Sequence, residues 1–263
     1  MISFTSAQLD TWVSLFIFPL ARILTLLSVA PVFNNAGLSR QIRLVIGLAI
    51  GLALAPALPP MPAISPGSWL GFLVLMQQML IGAVLGFTLR ITFSAVDMAG
   101  ELIGLQMGLS FATFYDPQTS AQTPVISEFL GLLMLLLFLA MNGHLLTLSV
   151  LGESFKLLPI STTPFAAGGF AALLSWSATL FSAGLMLALP LIAALLIANI
   201  ALGVLARVAP ALNIFAVGFP VTIVSGFTVL MLAMPYFGTA LERLYERGFD
   251  ALAGVIRAGG GLP

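Results

Sequence analysis

The residues that could act chemically are ionisable side chains inside or beside long apolar runs. Asp97 and Glu101 are four residues apart, which places both carboxylates on one face of a helix. Arg22 lies in the middle of the first apolar run, and Arg207 lies near the end of the fifth. Ionisable groups at membrane depth usually face protein or a water-filled path, where they serve ion, proton or polar contacts. Each of the four is therefore a candidate functional residue.

Each candidate also has a structural interpretation. Residues 90–108 could form an amphipathic helix at the membrane interface, with both carboxylates simply solvated. The Arg207 side chain can extend to the interface at little cost. Arg22 is too far from either end of its run to do so. We expect Arg22 to be buried in protein and paired with an acid or a backbone carbonyl of a neighbouring segment.

Glycines recur at every fourth position beside the two acids. The series Gly100, Gly104 and Gly108 allows close approach of helix backbones in lipid, where packing decides association. The pairs Gly47 and Gly51, and Gly82 and Gly86, have the same spacing and predict ordinary packing within the chain.

The segment 106–122, QMGLSFATFYDPQTSAQ, joins the glycine-rich helix to a polar loop. Its bulky residues precede a helix-stopping Asp-Pro pair, and the candidate residues are Met107, Leu109, Phe111, Phe114, Tyr115, Asp116 and Pro117. Apolar rings that fill a lumen gate a passage by excluding water. From spacing alone, such rings are more typical of core or interface anchors.

Several classes of function are excluded by composition. The chain has no cysteine and a single histidine, His144, so thiol chemistry and a cysteine-ligated metal are excluded. Nine basic residues balance nine acidic ones without a basic block, which excludes the electrostatic footprint of a nucleic-acid partner. No catalytic triad, phosphate-binding loop or metal-ligand spacing is present. We expect neither enzyme activity nor a cofactor.

The elements that position these residues are apolar helices. Apolar residues make up 60% of the chain and charged residues 7%, against roughly 25% charged residues in an ordinary soluble domain. Six apolar runs predict an all-α membrane protein, and they are Thr11–Phe33, Ile42–Ala57, Trp69–Leu89, Val125–Leu151, Ala171–Ala206 and Ile214–Met234. Pro190 should kink or divide the fifth helix. Residues 242–257 predict an amphipathic helix.

The distribution of arginines gives conflicting orientations. Arg40 and Arg43 favour a cytoplasmic first loop, whereas Arg243, Arg247 and Arg257 favour a cytoplasmic tail. Six complete crossings cannot satisfy both. Either one run does not cross, or the three acids of the tail make its arginines misleading. We favour the first alternative, because the second run is the shortest and the loop after it is rich in proline.

Several long blocks resemble the FliR family of bacterial flagellar export proteins. They are PLARILTLLSVAP (19–31), GELIGLQMGLSFATFYDP (100–117), LLFLAMNGHLL (136–146), GLMLALP (184–190) and LGVLARVAPALNIFAVGFP (202–220). The resemblance covers essentially the whole chain. This sequence departs from the best-known relatives at Tyr115, where they carry a small apolar residue.

The resemblance implies a core subunit of the flagellar type III export gate in the bacterial inner membrane, at the flagellar basal body. A single copy would assemble with FliP and FliQ around a pore for unfolded flagellar proteins, with FlhB and FlhA as further partners. It implies one membrane domain of bent helical hairpins: a FliP-like part over about 1–165, a FliQ-like hairpin over about 166–240 and a tail over 241–263. It also implies that residues 106–122 form a pore plug.

Two other functions remain open. The injectisome counterpart of FliR shares the fold and the gate role but delivers effectors to host cells. A secondary transporter would use Pro190 as a helix break and Asp97 as an ion ligand.

Overall fold

The computed structural model describes residues 6–34, 38–60, 64–109, 124–209 and 213–261, and within these ranges it contains helices and turns but no strand. In chain order the helices are α1 (Ser6–Val29), α2 (Arg40–Leu54), α3 (Trp69–Gln106), α4 (Val125–Ala140), α5 (Gly143–Leu157), α6 (Ala167–Val208) and α7 (Ile214–Gly259). A short 3-10 turn, Ala55–Ala57, follows α2.

Five helices of the described chain are long and apolar enough to cross a membrane, or six spans if the bent pair α4 and α5 counts as one. Each predicted apolar run except the fourth corresponds to one of these helices. The third of them, α3, continues well beyond Leu89 to Gln106. The prediction of an all-α membrane protein is confirmed.

The fourth apolar run is broken. α4 ends at Ala140 and α5 begins at Gly143, and their axes differ by 67°. Asn142 lies between them in the left-handed region, with φ of 56°, a conformation that asparagine tolerates better than most residues and that ends helices. The fourth apolar run therefore forms two helices rather than one.

The fifth run is continuous. α6 runs through Pro190, so of the two predicted effects, a kink or a division, the division is wrong. Membrane helices tolerate proline where neighbouring groups and small local adjustments satisfy the freed carbonyl. α7 likewise contains Pro220 and Pro235.

The chain forms two compact units. The first consists of Met1–Ile91, Leu139–Ser177 and Arg247–Pro263. Its core is built from α1, the first part of α3, α5 and the end of α7, with buried side chains such as Phe18, Leu27, Ile81, Phe155 and Ile256.

Glycines set the helix spacing in the first unit. A Cβ built on Gly82 or Gly86 would lie closer than 3.0 Å to α1, at Arg22 and Val29 respectively. Gly47 packs against Leu24 in the same way. The packing within the chain that was predicted for these glycine pairs is confirmed.

The second unit consists of Thr92–Phe138 and Ala178–Glu246. Its buried side chains include Val96, Ile103, Met134, Leu191 and Leu230. The Phe138 ring meets Phe93 and Tyr245 edge to face, with centroids 5.7 Å and 6.0 Å apart, which is a favourable aromatic geometry.

The predicted amphipathic helix over 242–257 is the last part of α7 rather than a separate element. Leu241, Leu244 and Leu252 are buried, whereas Glu242, Arg243 and the other charged residues of this part are exposed. The predicted amphipathic character of residues 242–257 is therefore confirmed.

Candidate functional site

Arg22 is completely buried in the first unit, in the middle of α1. Its Nε donates to Gln78 Oε1 at 2.9 Å, and Nη2 donates to the same oxygen. Nη1 donates to the Ser154 carbonyl at 3.0 Å and to Ser154 Oγ at 3.2 Å, and Nη2 also donates to the Leu158 carbonyl at 2.8 Å. One guanidinium therefore joins α1, α3 and the C-terminal end of α5.

The partners of Arg22 in the described chain include backbone carbonyls but no carboxylate. Its guanidinium carbon lies 4.2 Å from the centroid of the Phe155 ring, so an aromatic face also stabilises the cation. The last carbonyls of a helix carry a partial negative charge, and the Leu158 carbonyl at the end of α5 belongs to this group. The site is a cation bound by dipoles rather than by an ion pair.

Gln78 completes this cluster, which we call the Arg22 cluster: Arg22, Gln78, Ser154, Phe155 and Leu158. Its side chain is fully buried, and its Nε2 has no hydrogen-bond partner among the described residues. An unsatisfied buried donor costs free energy, so the orientation of this amide is set by the two bonds that its oxygen accepts from Arg22.

Asp97 and Glu101 lie on the exposed side of α3, whereas Gly100 and Gly104 lie on its buried side. The Asp97 carbonyl accepts a hydrogen bond from Ser127 Oγ at 2.9 Å, which attaches α4 to this turn of α3. The two carboxylates therefore adjoin the glycine contact but do not enter the core of the second unit.

The contact between α3 and α4 is made at the glycine series. A Cβ on Gly100 would lie 2.6 Å from Ser127 N, so no larger residue fits without movement. One turn further along, Gly104 faces Ile126 and Pro124 at ordinary contact distances of 3.9 and 4.0 Å. This brings together the helix ends on either side of residues 110–123.

α3 ends in a Schellman motif at Gly108. Leu109 N donates to the Gly104 carbonyl, and Gly108 N donates to the Leu105 carbonyl, both at 3.0 Å. Gly108 has a φ of 80°, which glycine adopts without a steric penalty. Met107 is fully buried, and Leu109 is half-buried.

The rest of the predicted plug lies outside the described residues, namely Phe111, Phe114, Tyr115, Asp116 and Pro117. What the structure describes of this region is its base: the end of α3, Pro124 and the first turn of α4.

Arg207 is exposed in the last turn of α6, where a cation interacts favourably with the helix dipole. His144 lies in the first turn of α5, and its Nδ1 is buried without a partner among the described residues. In the described part of the chain, no group of three or more acidic, histidine or cysteine side chains could hold a metal ion.

The partners of Arg22 could not be identified from the sequence. Gln78 and Ser154 are 56 and 132 residues away along the chain, and no local pattern marks either. Gly226 and Thr222 of α7, which contact Met107, are likewise ordinary residues of an apolar helix in the sequence.

Comparison with known proteins gives the class of this chain. Residues 13–248 match the family described as "Bacterial export proteins, family 1". The chain belongs to this family of export proteins.

Curated relatives narrow the class further. The chain is 45% identical over 259 residues to the flagellar biosynthetic protein FliR of Pectobacterium carotovorum subsp. carotovorum, covering 97% of this chain and 98% of the relative. It is 43% identical over 258 residues to the protein of that name from Escherichia coli (strain K12), with the same coverage. The Bacillus subtilis (strain 168) FliR is 30% identical over 187 residues, 70% of this chain and 72% of the relative. The resemblance to the FliR family is confirmed.

Proposed function

We propose that this chain is a component of the flagellar protein export apparatus and, more specifically, a core subunit of its type III export gate. With FliP and FliQ it would form the pore through which unfolded flagellar proteins leave the cell, and it would be needed for flagellum assembly. The observation that carries this proposal is similarity over nearly the full length to relatives named flagellar biosynthetic protein FliR.

The exposed apolar surface supports a role in an assembly within the membrane. α6 exposes large apolar side chains such as Phe181, Met186, Ile197 and Ile200, each at least 60% exposed. Val224, Met231 and Leu232 of α7 are exposed to a similar extent. Lipid or partner helices must cover such surfaces. We propose that FliP, FliQ and lipid of the bacterial inner membrane cover these apolar side chains. FlhB and FlhA would be further partners.

The division of the chain into FliP-like and FliQ-like parts is part of the same proposal. The FliQ-like hairpin, about 166–240, would comprise α6 and most of α7, and the FliP-like part, about 1–165, would comprise α1 to α5. The 67° bend between α4 and α5 supports the expectation of bent hairpins in the FliP-like part.

Residues 106–122 would form the pore plug. The described base supports this assignment because the two ends of the segment lie side by side. The Gly108 and Leu109 amides close α3 with one hydrogen bond each, and Ile126 of α4 lies beside Gly104. The plug residues themselves, Met107, Leu109, Phe111, Phe114, Tyr115, Asp116 and Pro117, remain candidates.

We assign structural roles to the polar residues. Arg22 would hold the helices of the first unit together, and Asp97 and Glu101 would make polar contacts on the exposed face of α3 rather than carry protons. Gly100, Gly104 and Gly108 would allow close packing at the base of the plug. Arg207 would stabilise the C-terminal end of α6. No residue has a catalytic role in this proposal.

Co-expression with FliP and FliQ tests the assembly. We expect a stable complex that contains a single copy of this chain. Deleting residues 110–123 should make vesicles containing the complex leak small solutes. If the chain instead purifies alone and shows substrate-dependent ion flux, it is a transporter and the gate proposal is wrong. Rescue of effector secretion, but not of flagellar export, would assign it to the injectisome.

A further inference from the structure

One face of α7 receives the C-terminal end of α3 within the second unit. Phe219, Thr222 and Gly226 are spaced by three and four residues, so they share a face of α7, and all three contact residues 107–108. We call these three residues the α7 seat.

Gly226 provides the space for Met107. A Cβ built on Gly226 would lie 2.6 Å from Met107 Cγ, 2.7 Å from Cε and 2.8 Å from Sδ. All three distances are below van der Waals contact, so the side chain of Met107 occupies the position that any larger residue at 226 would need. Both residues are buried, which leaves Met107 little room to move elsewhere.

The other two members of the seat contact the backbone. Thr222 Oγ1 lies 3.4 Å from the Met107 carbonyl, at the long limit of a hydrogen bond, and also donates to the Phe219 carbonyl at 3.0 Å. The Phe219 ring packs against Gly108, 3.7 Å from the position of a built Cβ. The left-handed Gly108 then turns the chain away from α3.

From these contacts we propose that Phe219, Thr222 and Gly226 are positioning residues, which fix the point and direction at which the chain leaves α3. This inference rests on the proposed function, because residues 106–122 are those assigned to the pore plug. It adds that α7, within the FliQ-like hairpin, determines the placement of the base of the plug. A change at 226 should therefore affect the gate without altering any plug residue.

The test uses the absence of cysteine from the chain. Leu109→Cys introduces a single thiol into this chain, at the base of the segment, and its modification is followed on this chain within the complete complex with FliP and FliQ. In this background, Gly226→Leu should displace Met107 and raise the rate of modification by N-ethylmaleimide about ten-fold, because the base opens more often. Vesicles containing the Gly226→Leu complex should also leak small solutes.

Two variants serve as controls. Gly238→Leu adds the same side chain to α7 at a position where no described atom lies within 4 Å of a built Cβ, and it should change neither the thiol rate nor the leakage. Met107→Ala combined with Gly226→Leu should restore slow modification, because the smaller residue makes room for the larger one. If Gly226→Leu fails to assemble, Gly226→Ala gives a smaller displacement, and the same direction of change is expected.

The possible outcomes separate the two proposals. If deletion of residues 110–123 causes leakage but Gly226→Leu and Gly226→Ala change neither the thiol rate nor the leakage, the α7 seat is wrong and the plug stands. If the deletion causes no leakage in an intact complex, the plug is wrong. Faster modification in Gly226→Leu would then still support the seat as a structural contact.

Discussion

The backbone of Gly100 in α3 lies directly against that of Ser127 in α4. A Cβ on Gly100 would lie 2.6 Å from Ser127 N, and Ser127 Oγ donates a hydrogen bond to the Asp97 carbonyl one turn earlier. At this point two helices touch without a side chain between them. Close contact therefore requires glycine at position 100, whereas it does not require glycine at position 104.

We predict opposite effects for two glycines of this series. Gly100→Ala should destabilise the chain by about 1–3 kcal/mol, because the new methyl group meets backbone that cannot move away. Gly104→Ala should be neutral or stabilising by about 0.5–1 kcal/mol, because its Cβ meets Ile126 at 3.9 Å and alanine favours the helix. Thermal unfolding of the purified chain in detergent measures both. A lower melting temperature for Gly104→Ala than for Gly100→Ala would contradict the structure.

The Arg22 cluster predicts a large effect of a single side chain. Arg22→Ala should cost about 3–5 kcal/mol, because it leaves a cavity and removes the donors to Gln78, Ser154 and Leu158. Arg22→Lys should cost less, since it keeps the charge but loses the planar fork of donors.

The exposed Arg207 is the matched control for Arg22. Arg207→Ala should change the stability of the isolated chain by no more than about 0.5 kcal/mol. The same unfolding measurement applies to all three variants. Equal melting temperatures for Arg22→Ala and Arg207→Ala would show that the Arg22 cluster does not stabilise the fold.

Gly108 should be sensitive to its backbone conformation rather than to space. Its φ is 80°, yet a Cβ there would lie 3.7 Å from the nearest atom, in Phe219. Gly108→Ala should therefore cost about 1–2 kcal/mol from the left-handed conformation alone. Gly108→Asn should cost less despite its larger side chain, because asparagine accepts this conformation. A greater loss with asparagine than with alanine would mean that steric contact dominates.

Asn142 also adopts the left-handed conformation, so glycine should be accepted in its place. Because its φ is 56°, Asn142→Gly should preserve or slightly raise stability, whereas Asn142→Val should lower it by about 1–2 kcal/mol. A β-branched residue at this site favours one continuous helix over the 67° bend between α4 and α5. Far-ultraviolet circular dichroism and thermal unfolding of the two variants check this prediction, and an Asn142→Val variant as stable as the parent chain would contradict it.

The helical architecture could be predicted because apolar run lengths follow from the thickness of a bilayer. The runs beginning at Trp69 and Ile214 correspond to helices that extend beyond the apolar sequence. The break at Asn142 was harder to place, because apolar residues on both sides hide it. The Asn142-Gly143 pair is a turn signal, which indicates a helix end but not the direction of the helix that follows. Pro190 did not divide α6, because neighbouring structure decides whether a proline interrupts a helix.

For the candidate residues, burial could be predicted from the sequence but contact partners could not. The position of Arg22 in the middle of an apolar run predicts burial, but its bonds to Ser154 and Leu158 connect residues more than a hundred positions apart. Such pairs depend on how the helices pack, which composition does not encode locally. The sequence likewise does not show that Gly226 provides space for Met107, because this contact also depends on how α3 and α7 pack.

Under the proposed function, this chain is required for flagellar protein export. Its most direct test is the amount of flagellar hook and filament protein secreted by a strain in which the gene is deleted. We predict that secretion and swimming are lost, that the parent gene and Gly104→Ala restore both, and that Arg22→Ala does not. A deletion strain that still secretes these proteins and swims would contradict the proposed function.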